Sequence, residues 1–338
     1  MSNTEHSGRN ADGTALVWGC PRIGDIVMNI PALKLLRRHT QDLFVRYVTT
    51  FYAAELPPAT DLVDEVRRHY LKGGIWNFFR WWKLRREVRR GDYDSIFLFG
   101  KITRFREKIS RSADAAAVPQ DGREHKAVQM ARTVARELGL GDVEVPSPEV
   151  EVGQDPEAVE AYRRLGLDLH GDRYLVVHPG TNRLVRKAAT SEKMWPAEKY
   201  GPLFEGLTDR HPGLRIAVVG ADEERAWIGQ HITDLPAEAA DVLNLAGRTS
   251  LVQLLPLLKN ASALLGVHSG ITHLATMAGT PLVALFGPTD ENATGPFRSG
   301  PQTRIIRAVD LNEAQDDPRC MSKIGVDRVL RALSEQIM

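Results

Sequence analysis

The sequence predicts an α/β protein made of two doubly wound, parallel-sheet domains. Three observations predict it. Short apolar runs of strand length alternate with amphipathic segments of helical length in both halves of the chain. Several of these runs end in glycine- or serine-containing turns directly before a helix, as βα connections do. The chain has 338 residues, more than one hydrophobic core ordinarily fills. Hydrophobic and charged fractions of 43% and 26% belong to a soluble globular protein. A formal charge of +1 argues against a global nucleic-acid footprint. There is no apolar run of membrane-spanning length and no secretory segment, and Cys20 and Cys320 stand near opposite ends of the chain, so a cytoplasmic setting without structural disulfides is expected.

Residues 1–13 are polar and glycine-containing and read as a disordered leader. An apolar strand, Thr14 to Trp18, then runs into Gly19-Cys20-Pro21-Arg22-Ile23-Gly24-Asp25, and an amphipathic helix follows from about Ile26 to Arg38. The loop is no nucleotide P-loop, because Asp25-Ile26 occupies the place of Lys and Ser/Thr, and it lacks the third glycine of a dinucleotide fingerprint. It does hold a carboxylate where a strand ends and a helix begins, a usual position for reactive groups in open α/β sheets. The same carboxylate would also complement the helix dipole.

Further strands are predicted at Leu43 to Val48 and Ser95 to Phe99. Between them, Ile75, Phe78, Phe79, Trp82 and Val88 follow helical spacing within IWNFFRWWKLRREVRR. This pattern predicts a helix packing its aromatics on the sheet beneath a solvated basic face. A role for that basic face at an anionic acceptor or a membrane surface stays open. Residues 101–125 read as a mobile loop, His125 to Leu138 as a helix, and Ala158 to Leu165 as a short helix before a domain boundary near residues 166–173.

The second half repeats the alternation. Tyr174 to Val177 is a strand ending in His178-Pro179-Gly180-Thr181-Asn182, and a basic segment with Lys193-Met194-Trp195-Pro196 precedes a helix over Ala197 to Arg210. Leu214 to Val219 leads to Asp222 and a helix from Glu223 to Ile232, and Leu243 to Leu245 leads through Ala246-Gly247-Arg248-Thr249-Ser250 to a helix from Val252 to Lys259. The densest chemistry lies in residues 266–290. A buried strand (Ala261 to Val267), a Ser269-Gly270 turn, a helix ending near Gly279 and a second buried strand (Pro281 to Phe286) would direct unpaired backbone N–H groups to one point at the positive end of a helix dipole. That arrangement favours a phosphate, and His273 lies one turn into the helix. An ordinary βαβ unit with a serine N-cap and a structural histidine would carry the same residues.

Taken in order, five motifs resemble the glycosyltransferase family 9 group of heptosyltransferases. They are Gly24-Asp25 leading to Pro31-Ala32-Leu33, His178-Pro179-Gly180-Thr181, Lys193-x-Trp195-Pro196, Leu245 to Leu251, and Ser269-Gly270-x-x-His273-Leu274-Ala275 followed by Phe286-Gly287-Pro288-Thr289. Cys320-Met321-x-x-Ile324 also fits, so the resemblance spans residues 14–338 and is weakest over 50–165.

The resemblance implies a GT-B fold, with two Rossmann-like domains facing across a cleft. Residues 14–168 would bind the acceptor, 169–318 the nucleotide sugar, and the closing helix in 319–338 would pack back toward the N-terminal domain. It implies an inverting, metal-independent sugar transfer that needs no cofactor beyond the nucleoside-diphosphate sugar itself. Asp25 would be the general base. Lys193, Thr181, Asn182, Ser269, Gly270 and His273 would stabilise the leaving diphosphate. Asp222 would accept from the ribose hydroxyls, and Arg248, Thr249 and Leu251 would line the nucleobase pocket. His268 stands where the family usually has an acidic residue that contacts the donor sugar, and an imidazole differs from a carboxylate in both charge and donor count. The sugar is therefore open between heptose and a related hexose, and the acceptor between a glycolipid core and a small molecule, with no nucleic acid and at most peripheral membrane contact. A sugar-nucleotide epimerase or hydrolase, or a non-catalytic sugar-nucleotide-binding protein, are the alternatives.

Overall fold

The computed structural model describes residues 13–19, 22–40, 42–49, 53–68, 75–99, 114–118, 124–153, 155–180, 193–233, 241–297, 302–308 and 319–337. The leader at 1–12, Cys20, most of the loop expected at 101–125, and Thr181 and Asn182 lie outside them. The chain divides into two compact units, Met1–Pro148 and Glu149–Met338. This differs from the boundary expected at 168/169. The helix α4 (Pro156–Arg164) belongs with the second unit because Tyr162 is fully buried there and its hydroxyl donates to the Gln253 carbonyl at 3.1 Å.

The first unit is built on a parallel sheet of order β3-β2-β1-β4-β5, with β1 at Gly13–Trp18, β2 at Leu43–Thr49, β3 at Glu65–Arg68, β4 at Ser95–Leu98 and β5 at Ala116–Ala117. Val17 pairs with Tyr47 on one side and Phe97 on the other. β3 and β5 have no counterpart in the sequence reading. β5 lies inside the stretch read as loop, and β3 is a polar edge strand without apolar alternation. Helix α1 (Ile23–His39) packs along α3 (Lys126–Glu137).

The other face of the sheet is covered by α2 (Ile75–Arg90), and here the structure corrects the sequence reading. The stripe of α2 that packs on the sheet is Trp81, Leu84 and Val88, set against Leu16, Ile96 and Leu98, with Trp81 stacked on Trp18 at 4.7 Å. Phe78, Phe79 and Trp82, expected in the core, are 65%, 52% and 53% exposed. Both stripes satisfy helical spacing, and the sheet accepts only one of them.

The second unit has a six-stranded parallel sheet of order β11-β10-β9-β6-β7-β8. Its strands are β6 (Tyr174–His178), β7 (Arg215–Val218), β8 (Val242–Asn244), β9 (Ala263–Val267), β10 (Leu282–Phe286) and β11 (Thr303–Arg307). Helices α5 (Tyr200–Arg210) and α8 (Val326–Gln336) bury Tyr200, Phe204, Leu330 and Leu333 against one face. They approach closely at Gly206, where a Cβ would stand 2.7 Å from Leu330 Cδ2. Trp195 is a core residue, and its indole N–H donates to the Ile324 carbonyl at 3.0 Å, which ties the closing segment to this unit. The short helix α6 (Leu254–Asn260) packs against α7 (Gly270–Ala278), which ends at Gly279 with φ 72° as a left-handed cap.

In each sheet the strand order reverses once, between β1 and β4 and between β6 and β9. Connections on the two sides of such a point leave in opposite directions, which opens a crevice beyond the strand ends. Trp18, His178 and Val267 end the strands there.

Candidate active site

At the end of β1, Gly19 is required by a close approach. A Cβ on it would lie 2.0 Å from the Tyr47 hydroxyl oxygen, which also accepts a hydrogen bond from the buried amide of Asn29. The chain then enters α1 three residues earlier than the sequence suggests, so Asp25 sits inside the first helical turn. Its carboxylate is half-buried, with Oδ1 3.6 Å from the Lys126 ammonium at the start of α3. Asn29, four residues on, shares its helix face.

In the second unit, β6 and β9 are adjacent, with His178 paired to Gly266, so residues 91 apart in sequence meet at the strand ends. Ser269 is the N-cap of α7, yet its side chain makes no capping bond. Its hydroxyl pairs with His178 Nδ1 at 3.0 Å. Asp155 and Asp290, by contrast, do cap the helical turns that follow them. The first-turn N–H groups of α7 therefore have no serine cap, and they stand at the positive end of the helix dipole, a favourable setting for an anion.

His178 is buried, and burial pushes its pKa down to about 4. The imidazole is neutral near pH 7, so the 4.0 Å approach of its Nε2 to Glu224 Oε2 is not an ion pair. Burial is also the largest influence on Glu224, whose carboxyl is held above the ordinary range although it accepts from the Ala221 N–H at 2.8 Å. A neutral imidazole has one protonated and one bare nitrogen, so the bond to Nδ1 sets which way the Ser269 hydroxyl proton points.

His268 stacks on Phe286 with ring centroids 4.6 Å apart and lies 6.2 Å from the buried ring of His273. The loop after Phe286 is held by Arg307, which donates to the carbonyls of Gly287 and Thr289 at 2.7 Å each. Gly270, Ser269, His268 and His273 thus gather around the start of α7, as the sequence predicts. Asp222 and Arg248 are brought together by Gly247, whose φ is 67° and whose missing Cβ would lie 2.5 Å from Asp222 Cα. Asp222 and Arg248 are exposed, Leu251 is half-buried, and Thr249 hydrogen-bonds Tyr162. Lys193 is half-buried and immediately precedes the buried Met194 and Trp195.

Sequence reasoning missed Glu224, Lys126 and the pairing of His178 with Ser269. One signal was present: a histidine ends an otherwise apolar strand, YLVVH. Among the described residues, no group of three or more His, Cys, Asp or Glu is arranged to hold a metal ion. No described helix is long and apolar enough to cross a membrane.

Comparison with known proteins supplies the family. The model of glycosyltransferase family 9 (heptosyltransferase) matches residues 99–321. Lipopolysaccharide heptosyltransferase 1 of Pseudomonas aeruginosa is 26% identical over 298 residues, covering 81% of this chain and 79% of that protein. Lipooligosaccharide heptosyltransferase 2 of Haemophilus influenzae is 33% identical over 120 residues, covering 35% of this chain and only 33% of that protein's length. Among solved structures, E. coli ADP-heptose lps heptosyltransferase II superposes with a TM-score of 0.76 at 19% identity over 96% of this chain and 98% of that one. A family 9 glycosyl transferase from Veillonella parvula gives 0.78 at 17% identity, over 98% and 99%. These structural matches show the two-sheet GT-B fold. The chain belongs to glycosyltransferase family 9, the heptosyltransferase family.

Proposed function

We propose that this protein is an inverting, metal-independent glycosyltransferase that moves a heptose or a related hexose from a nucleoside diphosphate to an acceptor hydroxyl. The observation that carries the proposal is the start of α7. Ser269 is drawn away from capping by His178, so backbone N–H groups at the strand-order reversal are available to a diphosphate. Asp222 and Arg248, joined through Gly247, would hold the nucleoside, and Lys193 and His273 would add positive or hydrogen-bonding character at the phosphates.

In the reaction, the Asp25 carboxylate takes the proton of the acceptor hydroxyl as that oxygen bonds to the sugar C1. The bond from C1 to the diphosphate oxygen breaks on the opposite face. The electron pair leaves with the nucleoside diphosphate, whose charge the α7 amides stabilise. The Lys126 ammonium, 3.6 Å from Asp25, would orient the carboxylate. ADP-heptose, named for the E. coli relative, is the first donor to test, and a lipopolysaccharide core the first acceptor. His268 supports a second reading, a sugar-nucleotide-binding protein without transfer, because it presents an imidazole stacked on Phe286 at the position where the family resemblance implies an acidic residue as the usual one.

The deciding experiment measures glycoside formation and nucleotide affinity together. Asp25→Ala should lower kcat by about a thousandfold or more with nucleoside-diphosphate Kd unchanged. A variant that retains near-wild-type kcat would remove Asp25 as the base. Saturable nucleotide binding without any glycoside product would favour the second reading.

A further inference from the structure

We propose that α2 of the first unit is an interfacial helix that docks the protein on an anionic lipid surface. Phe78, Phe79 and Trp82 are the exposed large hydrophobics found among the described residues, and all three lie on this one helix. Their arc is turned well away from the Trp81, Leu84 and Val88 stripe that packs on the sheet. Since that stripe fixes the rotation of the helix, the three aromatics cannot turn inward. Scattered single exposed hydrophobics need no explanation, but a cluster of aromatics on one helix face does.

Charge complementarity identifies the partner. Ile75–Arg90 contains Arg80, Lys83, Arg85, Arg86, Arg89 and Arg90 against the single acid Glu87, a net +5 in a chain whose formal total is +1. The remainder of the molecule therefore carries a net −4. Glu87 faces inward, accepting from Arg67 at 2.6 Å and from the Tyr93 hydroxyl at 2.7 Å, so it does not offset the outward charges. Arg86 lies 5.4 Å over the Trp82 ring, an arrangement that keeps cation and aromatic at the same depth.

Aromatics with flanking arginines on a helix lying flat match the composition of helices that sit at the headgroup boundary. An extended polyanion such as a nucleic acid would leave this patch and meet the net negative remainder, whereas a membrane surface need touch only the helix. The inference is independent of sugar transfer, because lipid binding is read without any substrate.

The test is flotation of the full chain with vesicles of equimolar phosphatidylcholine and phosphatidylglycerol, beside vesicles of phosphatidylcholine alone. The wild type should float with the anionic vesicles and much less with the neutral ones, and high salt should weaken binding. Replacing Phe78, Phe79 and Trp82 together by serine should lower vesicle affinity by about tenfold or more, with circular dichroism and melting temperature nearly unchanged because all three side chains are more than half exposed. Lys83→Glu with Arg86→Glu should also lower it by about tenfold or more. The proposal is overturned if the wild type stays in solution, if the triple-serine chain floats equally well, or if the serine changes instead abolish self-association measured by light scattering without affecting vesicle binding.

Discussion

Substituting His178 by Gln should remove a specific part of the protein's acid sensitivity. In the folded chain the imidazole is buried and its pKa lies at about 4, against an ordinary value of about 6.5 when unfolded. The sign follows from proton binding. Between these two values the unfolded state holds a proton that the native state does not, so stability falls as pH falls. The contribution is fully present above the unfolded pKa and is lost on acidification toward the folded one. From these two values the loss is about 2 kcal/mol by pH 5 and about 3 kcal/mol by pH 4.

Urea denaturation at pH 7, 6 and 5 measures this loss. The gap between the wild-type and His178→Gln stabilities should shrink by that loss as pH falls, and the constant cost of losing the ring cancels when the gaps at two pH values are compared. Glu224, whose folded carboxyl is raised above the ordinary range, acts in the opposite sense and gains relative stability on acidification. Repeating the comparison in a Glu224→Gln background separates the two. Curves that stay parallel, or a His178 imidazole seen by NMR to titrate near its ordinary pKa, would refute the argument that burial keeps this ring neutral.

Gly247→Ala places a Cβ 2.5 Å from the Asp222 backbone at a φ of 67°, and backbone cannot yield as a flexible side chain can. A loss of about 2 kcal/mol in stability is expected, with weaker nucleotide affinity by calorimetry, and an unchanged Kd would disconnect this turn from the nucleoside. Lys126→Met should leave the melting temperature nearly unchanged, since its partly exposed 3.6 Å pair with Asp25 contributes at most about 1 kcal/mol. It should lower kcat by about tenfold without altering donor Kd, and a matching rise in donor Kd would assign Lys126 to the donor instead.

Much of this protein was legible in the sequence because the signals are local. Buried strands such as YLVVH, ALLGV and LVALF are short apolar runs, and the turns after them carry glycine and serine where the backbone must bend or approach closely. That suffices for strand–helix alternation, for Asp25 at the first βα turn, and for the cluster around Ser269. Edge strands were missed for a physical reason. Glu65–Arg68 has no apolar face and is held by its ladder with β2 and by ion pairs, Glu65 receiving Arg46 at 2.6 Å and Arg67 at 2.8 Å, so its pattern exists only once its neighbour is in place.

The tertiary structure decided what depends on a second segment. α2 carries two apolar stripes of equally good helical spacing, and only the sheet beneath selects Trp81, Leu84 and Val88, leaving Phe78, Phe79 and Trp82 outside. His178 and Ser269 each look ordinary in sequence. They become one device because β6 and β9 lie side by side where the strand order reverses, and the serine then pairs with the histidine instead of capping its own helix. Periodicity and turn chemistry thus determined which elements form and where reactive side chains lie along them. Strand adjacency determined which of those side chains meet.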